Sequence, residues 1–219
     1  MMPASAVNAG VILPPRLFAQ AGWYAAALAA GGATVDTSMP YDKRAKGVHR
    51  YDVADTRGLL QLTVPVTRPH RAAEGERTLW SHADVSAHGE WWHVHRTALE
   101  SAYGRTPYFE FVIDRFVPLL SADTVGMSVP DLARRADEAV RRFLNFPVDV
   151  CWRPAAEAPA CAADLRRAGF DTPAMKPYWQ VRGAELGFIP SLSILDLIFS
   201  LGPETILYLE KMAAGMRRG

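Results

Sequence analysis

The N-terminal segment places the strongest constraint on what this chain can fold into. Val11-Ile12-Leu13 is an apolar run closed by Pro14-Pro15, whose prolines cannot donate to a strand ladder, so it reads as a short buried strand. Leu17, Ala21, Tyr24, Ala25 and Leu28 then recur at spacings of three and four, and the stretch stops at Gly31-Gly32, which predicts a helix with a glycine stop. Ala33 to Thr37 is β-prone again. A strand, a helix and a second strand in that order imply parallel pairing, because a helical crossover returns the chain in the direction it came from.

The remaining elements extend this unit into an α/β fold with a mixed sheet, a β-hairpin and a helical C-terminal half. Residues 48–54 and 58–66 are β-prone runs around the turn-forming Asp55-Thr56-Arg57-Gly58, which predicts a hairpin. Residues 67–90 read as a loop with room for one short strand. A helix is expected over Trp91 to Tyr103, broken at Thr106-Pro107, with a second from Tyr108 to about Leu119. Ser128-Val-Pro-Asp131 opens a third, with Leu132, Ala136, Val140 and Phe143 on one face. Phe146 to Trp152 and Tyr178 to Val181 read as strands, and Cys161 to Ala168 as a short helix ending at Gly169. Two apolar helices, about 191–200 and 203–214, end the chain on either side of Gly202-Pro203.

Composition narrows the function classes. With 219 residues and 49% hydrophobic content, residues 1–219 can bury one core as a single domain. The 24 basic and 23 acidic residues nearly cancel, which argues against a nucleic-acid partner. The two cysteines, Cys151 and Cys161, are too few for a disulfide framework and suit a reduced compartment, so the cytoplasm is expected. Met1 to Leu13 lacks the pattern of an export signal, and no apolar stretch is long enough for a membrane span.

Several clusters are chemically suggestive. His82, His88, His93 and His95 lie close together in sequence, which raises a metal site; on a helix, however, His93 and His95 project to different sides, and only on a strand would they share a face. His95 shares a helical stripe with Leu99 and Ala102, and Tyr103 and Glu100 lie on an adjoining face. A histidine there suits general-base work beside a hydrogen-bonding tyrosine; the structural alternative is a surface histidine and a buried tyrosine. Lys43, Arg44, Lys46 and Arg50 follow Tyr41 as a basic run, which is either a solvated loop or an anion site for the phosphates of a nucleotide sugar or coenzyme A. Neither cysteine stands in a Cys-His pattern, and Ser191 and Ser193 lack the hydrolase elbow. With no P-loop, G-x-G-x-x-G or C-x-x-C motif, no cofactor and no metal are expected.

Ordered blocks along the chain resemble the WbqC-like protein family. Val11 to Tyr24 is similar to the family's strand, proline-aromatic turn and helix. Tyr41-Asp-Lys43 with His49-Arg50 resembles its Tyr-x-Lys and Asn-Arg pair, and Leu62 to Val66 the strand after it. His95 to Tyr103 with Pro107-Tyr-Phe109 resembles the helix-and-break pattern, and Phe188 to Leu197 is the most specific block, whereas residues 120–170 carry little. The chain departs from the pattern at His49, where the family has asparagine, and at Leu13-Pro14, where it has Gln-Pro.

The resemblance implies a bacterial protein of surface-polysaccharide (O-antigen) biosynthesis, with a suggested transfer of an acyl or aminoacyl group, glycyl for example, from a nucleotide-sugar or thioester donor to a sugar acceptor. Carried onto this chain, it implies His95 as base, Tyr103 as orienting group, Lys43 and Arg50 as phosphate or oxyanion contacts, and Tyr41, Glu100 and Asp196 as further substrate contacts. The alternative is a non-catalytic sugar-nucleotide-binding or assembly protein of the same pathway. Asp196 discriminates: in an apolar helix its carboxylate needs a partner, and pairing with Lys43, Arg50 or His95 would mark a site.

Overall fold

Val11–Leu13 and Ala33–Asp36 form β1 and β2, joined by α1 (Ala21–Ala30), and they pair in parallel with Val11 opposite Ala33. The computed structural model describes residues 10–70, 74–160, 162–170 and 175–217. Helix α1 begins later than its sequence period suggests, because Pro14 to Ala19 is taken up by a turn. Every residue from Ala21 to Leu28 is buried, as expected of a helix that is apolar all round. Gly31 ends it in the left-handed conformation, with φ of 72°.

β3 (Arg50–Asp55) and β4 (Gly58–Thr63) form the expected antiparallel hairpin, with Asp52 opposite Gln61. α2 (Trp91–Tyr103) and α4 (Val129–Leu144) also form where expected, the latter capped by Ser128 Oγ accepting from Asp131 N at 3.3 Å. Between them lies α3 (Phe109–Val112), which is one turn long. A helix running from Tyr108 to Leu119 does not form: Pro118 has no N–H to continue the ladder, and the chain proceeds through 3₁₀ turns that bury Phe116 and Leu119.

β5 (Val150–Arg153) and β6 (Ala163–Asp164) complete a parallel sheet of order β5-β2-β1-β6. The hairpin is a separate sheet of its own, so the α/β fold holds its parallel and antiparallel pairings apart. β6 replaces the short helix expected over Cys161 to Ala168; Cys161 itself lies outside the described residues. Helical propensity loses there to the open edge of β1, where Leu165 N donates to Ile12 O at 2.9 Å. Buried Asp36 fastens the same end of the sheet, accepting from Ser38 N, Ala155 N and Arg166 Nη1 at 2.9, 3.0 and 2.8 Å.

Tyr178 to Val181 forms no strand; the Gln180 side chain from this segment instead bonds both backbone groups of Ile189. After the short α5 (Gly183–Leu186), α6 (Ile194–Leu201) and α7 (Thr205–Met216) close the chain, with α7 packed on α1. In 67–90 the expected short strand is reduced to isolated bridges such as Val66 with Val85. Among the described residues no helix is long and apolar enough to cross a membrane.

Gly22 marks where α1 is pressed hardest. A Cβ there would lie 2.5 Å from the backbone oxygen of Phe170, an atom that cannot swing away. Gly22→Ala is therefore expected to destabilise the fold by about 1–3 kcal/mol, read as a fall in Tm by calorimetry. Gly215→Ala in α7, where a Cβ meets nothing within 4 Å, should leave Tm unchanged or slightly higher.

Candidate functional site

The loops leaving the C-terminal ends of β1 and β2 meet the hairpin and the start of α6. This is the edge where open parallel sheets hold their ligands, since side chains from successive loops converge there. The loop after β1 makes the junction through Phe18, a buried aromatic residue with φ of 44°. That conformation costs on the order of 1–3 kcal/mol for a residue with a Cβ. Edge-on contacts with Tyr51 and Phe116, at 5.0 and 5.8 Å between ring centres, hold it in place.

The turn at Phe18 brings backbone groups of distant segments into register. Leu17 N donates to Gly47 O at 3.1 Å, Ile194 N to Ala19 O at 2.9 Å, and Ser193 N to Asp52 O at 2.9 Å. Gln20 and Ser193 form an antiparallel bridge. A cavity of about 130 Å³ opens between these segments, with Arg16, Gln20, Arg50, Asp52, Gln61 and Ser193 among its walls.

The cavity is polar and carries one net positive charge, from Arg16 and Arg50 against Asp52. Arg16 lies over the ring of Phe170 at 5.2 Å, and its guanidinium occupies the space that a side chain at Gly47 would need: a Cβ there would sit 2.5 Å from Arg16 Nη1. Arg50 Nη1 donates to Gln61 Oε1 at 3.2 Å, and Gln61 Nε2 donates to Asp52 Oδ1 at 3.0 Å. Arg50 Nε and Ser193 Oγ are buried with no hydrogen-bond partner among the described residues. Both are donors, and buried donors left unpaired are costly unless something fills the site.

The profile of the WbqC-like protein family matches residues 15–168. The chain belongs to that family. No curated protein and no solved structure matches it. The WbqC-like match takes in Arg16, Gln20, Arg50, Asp52 and Gln61, and it runs through the middle of the chain, where the resemblance in sequence blocks is thin. It ends before Phe188 to Leu197, the block read as most specific.

Of the residues expected at a site, Arg50 lines this cavity. His95 lies beneath the hairpin, 2% exposed, with both ring nitrogens engaged. The carbonyl of Thr63, 3.1 Å from Nε2, can only accept, so Nε2 carries the proton; Nδ1 then accepts from the Tyr51 hydroxyl at 3.0 Å. Burial holds the His95 pKa down at about 4, so the ring is neutral near pH 7.

Asp196 pairs with none of Lys43, Arg50 or His95. It is buried at the centre of a second network, accepting from the Tyr178 hydroxyl, from Gln180 Nε2 at 3.1 Å and from the Tyr103 hydroxyl. Tyr103 in turn accepts from Ala54 N at 3.2 Å, so α2, β3 and α6 share one set of polar contacts. Burial raises the Asp196 pKa while its three donors pull it down, and the net direction is upward. Tyr41 packs against Trp80 at 4.7 Å, while Lys43 and Glu100 are exposed and take no part in either network. His82 Nδ1 accepts from Leu79 N at 3.3 Å, His88 and His93 are exposed, and no group of His, Cys, Asp and Glu among the described residues is arranged to hold a metal.

Sequence reasoning passed over Arg16, Gln20, Asp52, Gln61 and Ser193. The hairpin held a usable signal: a turn at Asp55 to Gly58 puts Asp52 opposite Gln61, on the same face as Arg50. Nothing local signalled Arg16 or Ser193, because their meeting is a product of tertiary closure.

His95 carries a consequence for pH. In the unfolded chain its pKa is near 6.5 and in the fold about 4, so only the unfolded state takes up a proton between those values. Its contribution is intact above pH 6.5 and is lost as pH falls toward 4, by up to about 3 kcal/mol. Chemical denaturation of His95→Gln at pH 7 and pH 4 should show a smaller loss of stability on acidification than the parent; equal losses would contradict the placement.

Proposed function

We propose that the chain is a cytoplasmic group-transfer enzyme of bacterial surface-polysaccharide biosynthesis that anchors the anionic end of its donor between Arg16 and Arg50. The observation that carries this reading is the pairing of two unsatisfied buried donors, Arg50 Nε and Ser193 Oγ, on one cationic cavity. An oxyanion suits a lining of two arginines and a serine, and a guanidinium bonds phosphate or carboxylate more strongly than it bonds a neutral acceptor. At about 130 Å³ the cavity is below the ~300–1,000 Å³ that encloses a whole small-molecule ligand. It therefore holds one charged end, the phosphate of a nucleotide sugar or of a coenzyme A thioester, while the rest lies outside.

The transfer itself rests on the resemblance rather than on the cavity: in this reading an acyl or aminoacyl group passes from the donor to a sugar hydroxyl or amine. With a coenzyme A thioester as donor, the acceptor hydroxyl or amine attacks the acyl carbon, the carbon–sulfur bond breaks and coenzyme A leaves as the thiolate, and the acceptor's proton passes to a base and from there to that thiolate. Asp52 is the carboxylate lining the cavity and takes that role in this reading. His95 acts at one remove, by fixing Tyr51 and hence the β3 backbone on which Arg50 and Asp52 stand.

A second reading, a non-catalytic sugar-nucleotide-binding protein of the same pathway, is favoured by one observation. Burial lowers the pKa of both buried histidines beside the hairpin, His49 and His95, and His95 has no free ring nitrogen. Under that reading the anion pocket is the whole function.

Calorimetric titration with a uridine diphosphate sugar and with acetyl-coenzyme A tests the anchor. Arg50→Ala should weaken binding of whichever donor is taken by about 1.5–3 kcal/mol, the worth of hydrogen bonds to a charged group. Gly47→Ala should weaken it through displacement of Arg16 while leaving Tm nearly unchanged. Unaltered affinity in both variants would remove the anion-pocket reading. Asp52→Asn that binds but does not turn over supports transfer; full function in that variant supports the binding protein.

A further inference from the structure

A second concavity lies far from the charged cavity in character. It runs between Lys176 to Tyr178 and one face of α7, with a volume of about 690 Å³, within the range that encloses a whole ligand. Its walls are mainly apolar, from Pro177, Tyr178, Leu201, Leu207, Tyr208 and Met212. Leu207 is 52% exposed, and an exposed leucine inside a groove is a stronger sign of a ligand than one on a convex surface.

The charges on the groove are distributed unevenly. Glu204 stands at the N-terminal end of α7, where a carboxylate complements the helix dipole and so has a structural reason to be present. Lys211 lies two turns further along, about 10 Å at 1.5 Å per residue, and Lys176 lines the same groove from the segment before Tyr178. Neither lysine is ion-paired among the described residues, so both positive charges of the groove are available to an anion. The walls offer little to a peptide main chain. Lys176 O already accepts from the Tyr208 hydroxyl at 2.6 Å, and Pro177 has no N–H. A peptide laid there would bury unsatisfied amides, whereas a hydrocarbon chain has none to satisfy.

We propose that this groove binds a single fatty acyl chain with a carboxylate at its head, the chain lying along Leu207, Tyr208 and Met212 and the head between Lys176 and Lys211. The site is independent of the Arg16 and Arg50 cavity and would stand if that reading failed.

Titration of the full chain with dodecanoate, held below its micelle concentration, tests the proposal. The expected result is saturable binding of one chain per protein, weakened about tenfold or more by the pair Lys176→Glu and Lys211→Glu and by Leu207→Asp. Both lysines and Leu207 are surface side chains, and circular dichroism of the variants checks that folding is retained. Dodecyltrimethylammonium, which has the same chain and the opposite head charge, should bind far more weakly than dodecanoate. Absence of saturable binding, equal affinity for the two head groups, or indifference to the charge reversal would each overturn it.

Discussion

The strained turn at Phe18 is the constraint on which the rest of the site depends. A buried aromatic ring in the left-handed region persists only because Tyr51 and Phe116 pack its edges. Releasing it would free Leu17 from Gly47 and Ala19 from Ile194, and with them the closure that sets Arg16 beside Arg50 and Ser193. Strain at one residue thus holds four separate segments in a fixed relation. The site is built on the loops at the C-terminal ends of parallel strands, but the hairpin adds Arg50, Asp52 and Gln61 and the residue before α6 adds Ser193.

Two buried networks brace that arrangement from beneath. His95 ties α2 to β3 and β4 through Tyr51 and Thr63, and Asp196 ties α6 to α2 and to the segment around Gln180. Each polar atom in these networks has a partner, which is what makes burying an imidazole or a carboxylate tolerable. Their common effect is to fix β3, the strand that carries Arg50 and Asp52 on its outer face, and Ser193, which precedes α6. These deep polar residues lie beneath β3, and the side chains lining the cavity stand a layer further out.

Periodicity was enough to read the parallel strand-helix-strand unit, the hairpin, α2, α4 and the two closing helices, because each is decided by local pattern. β6 was not legible, since its partner edge is on β1 at the other end of the sequence and alanines there favour a helix in isolation. The helix expected through Leu119 failed at Pro118, a local breaker that deserved more weight than the apolar spacing around it. His95 and Asp196 stood out because they are polar residues in apolar stripes; that pattern marks a satisfied core group as readily as a site. Arg16 and Ser193 carried no local signal at all, and Arg50 was legible only as part of a basic run whose exposed members, such as Lys43, lie elsewhere.

The most direct measurement of the central claim is the arginine Nε–H spectrum of the labelled protein, recorded by nuclear magnetic resonance during addition of a uridine diphosphate sugar or coenzyme A thioester. The account predicts that the Arg50 signal, and with it Arg16, shifts and becomes protected from exchange as an oxyanion fills the cavity. Shifts confined to arginines outside the cavity, such as Arg44 or Arg96, with Arg16 and Arg50 unmoved at saturation, would contradict it.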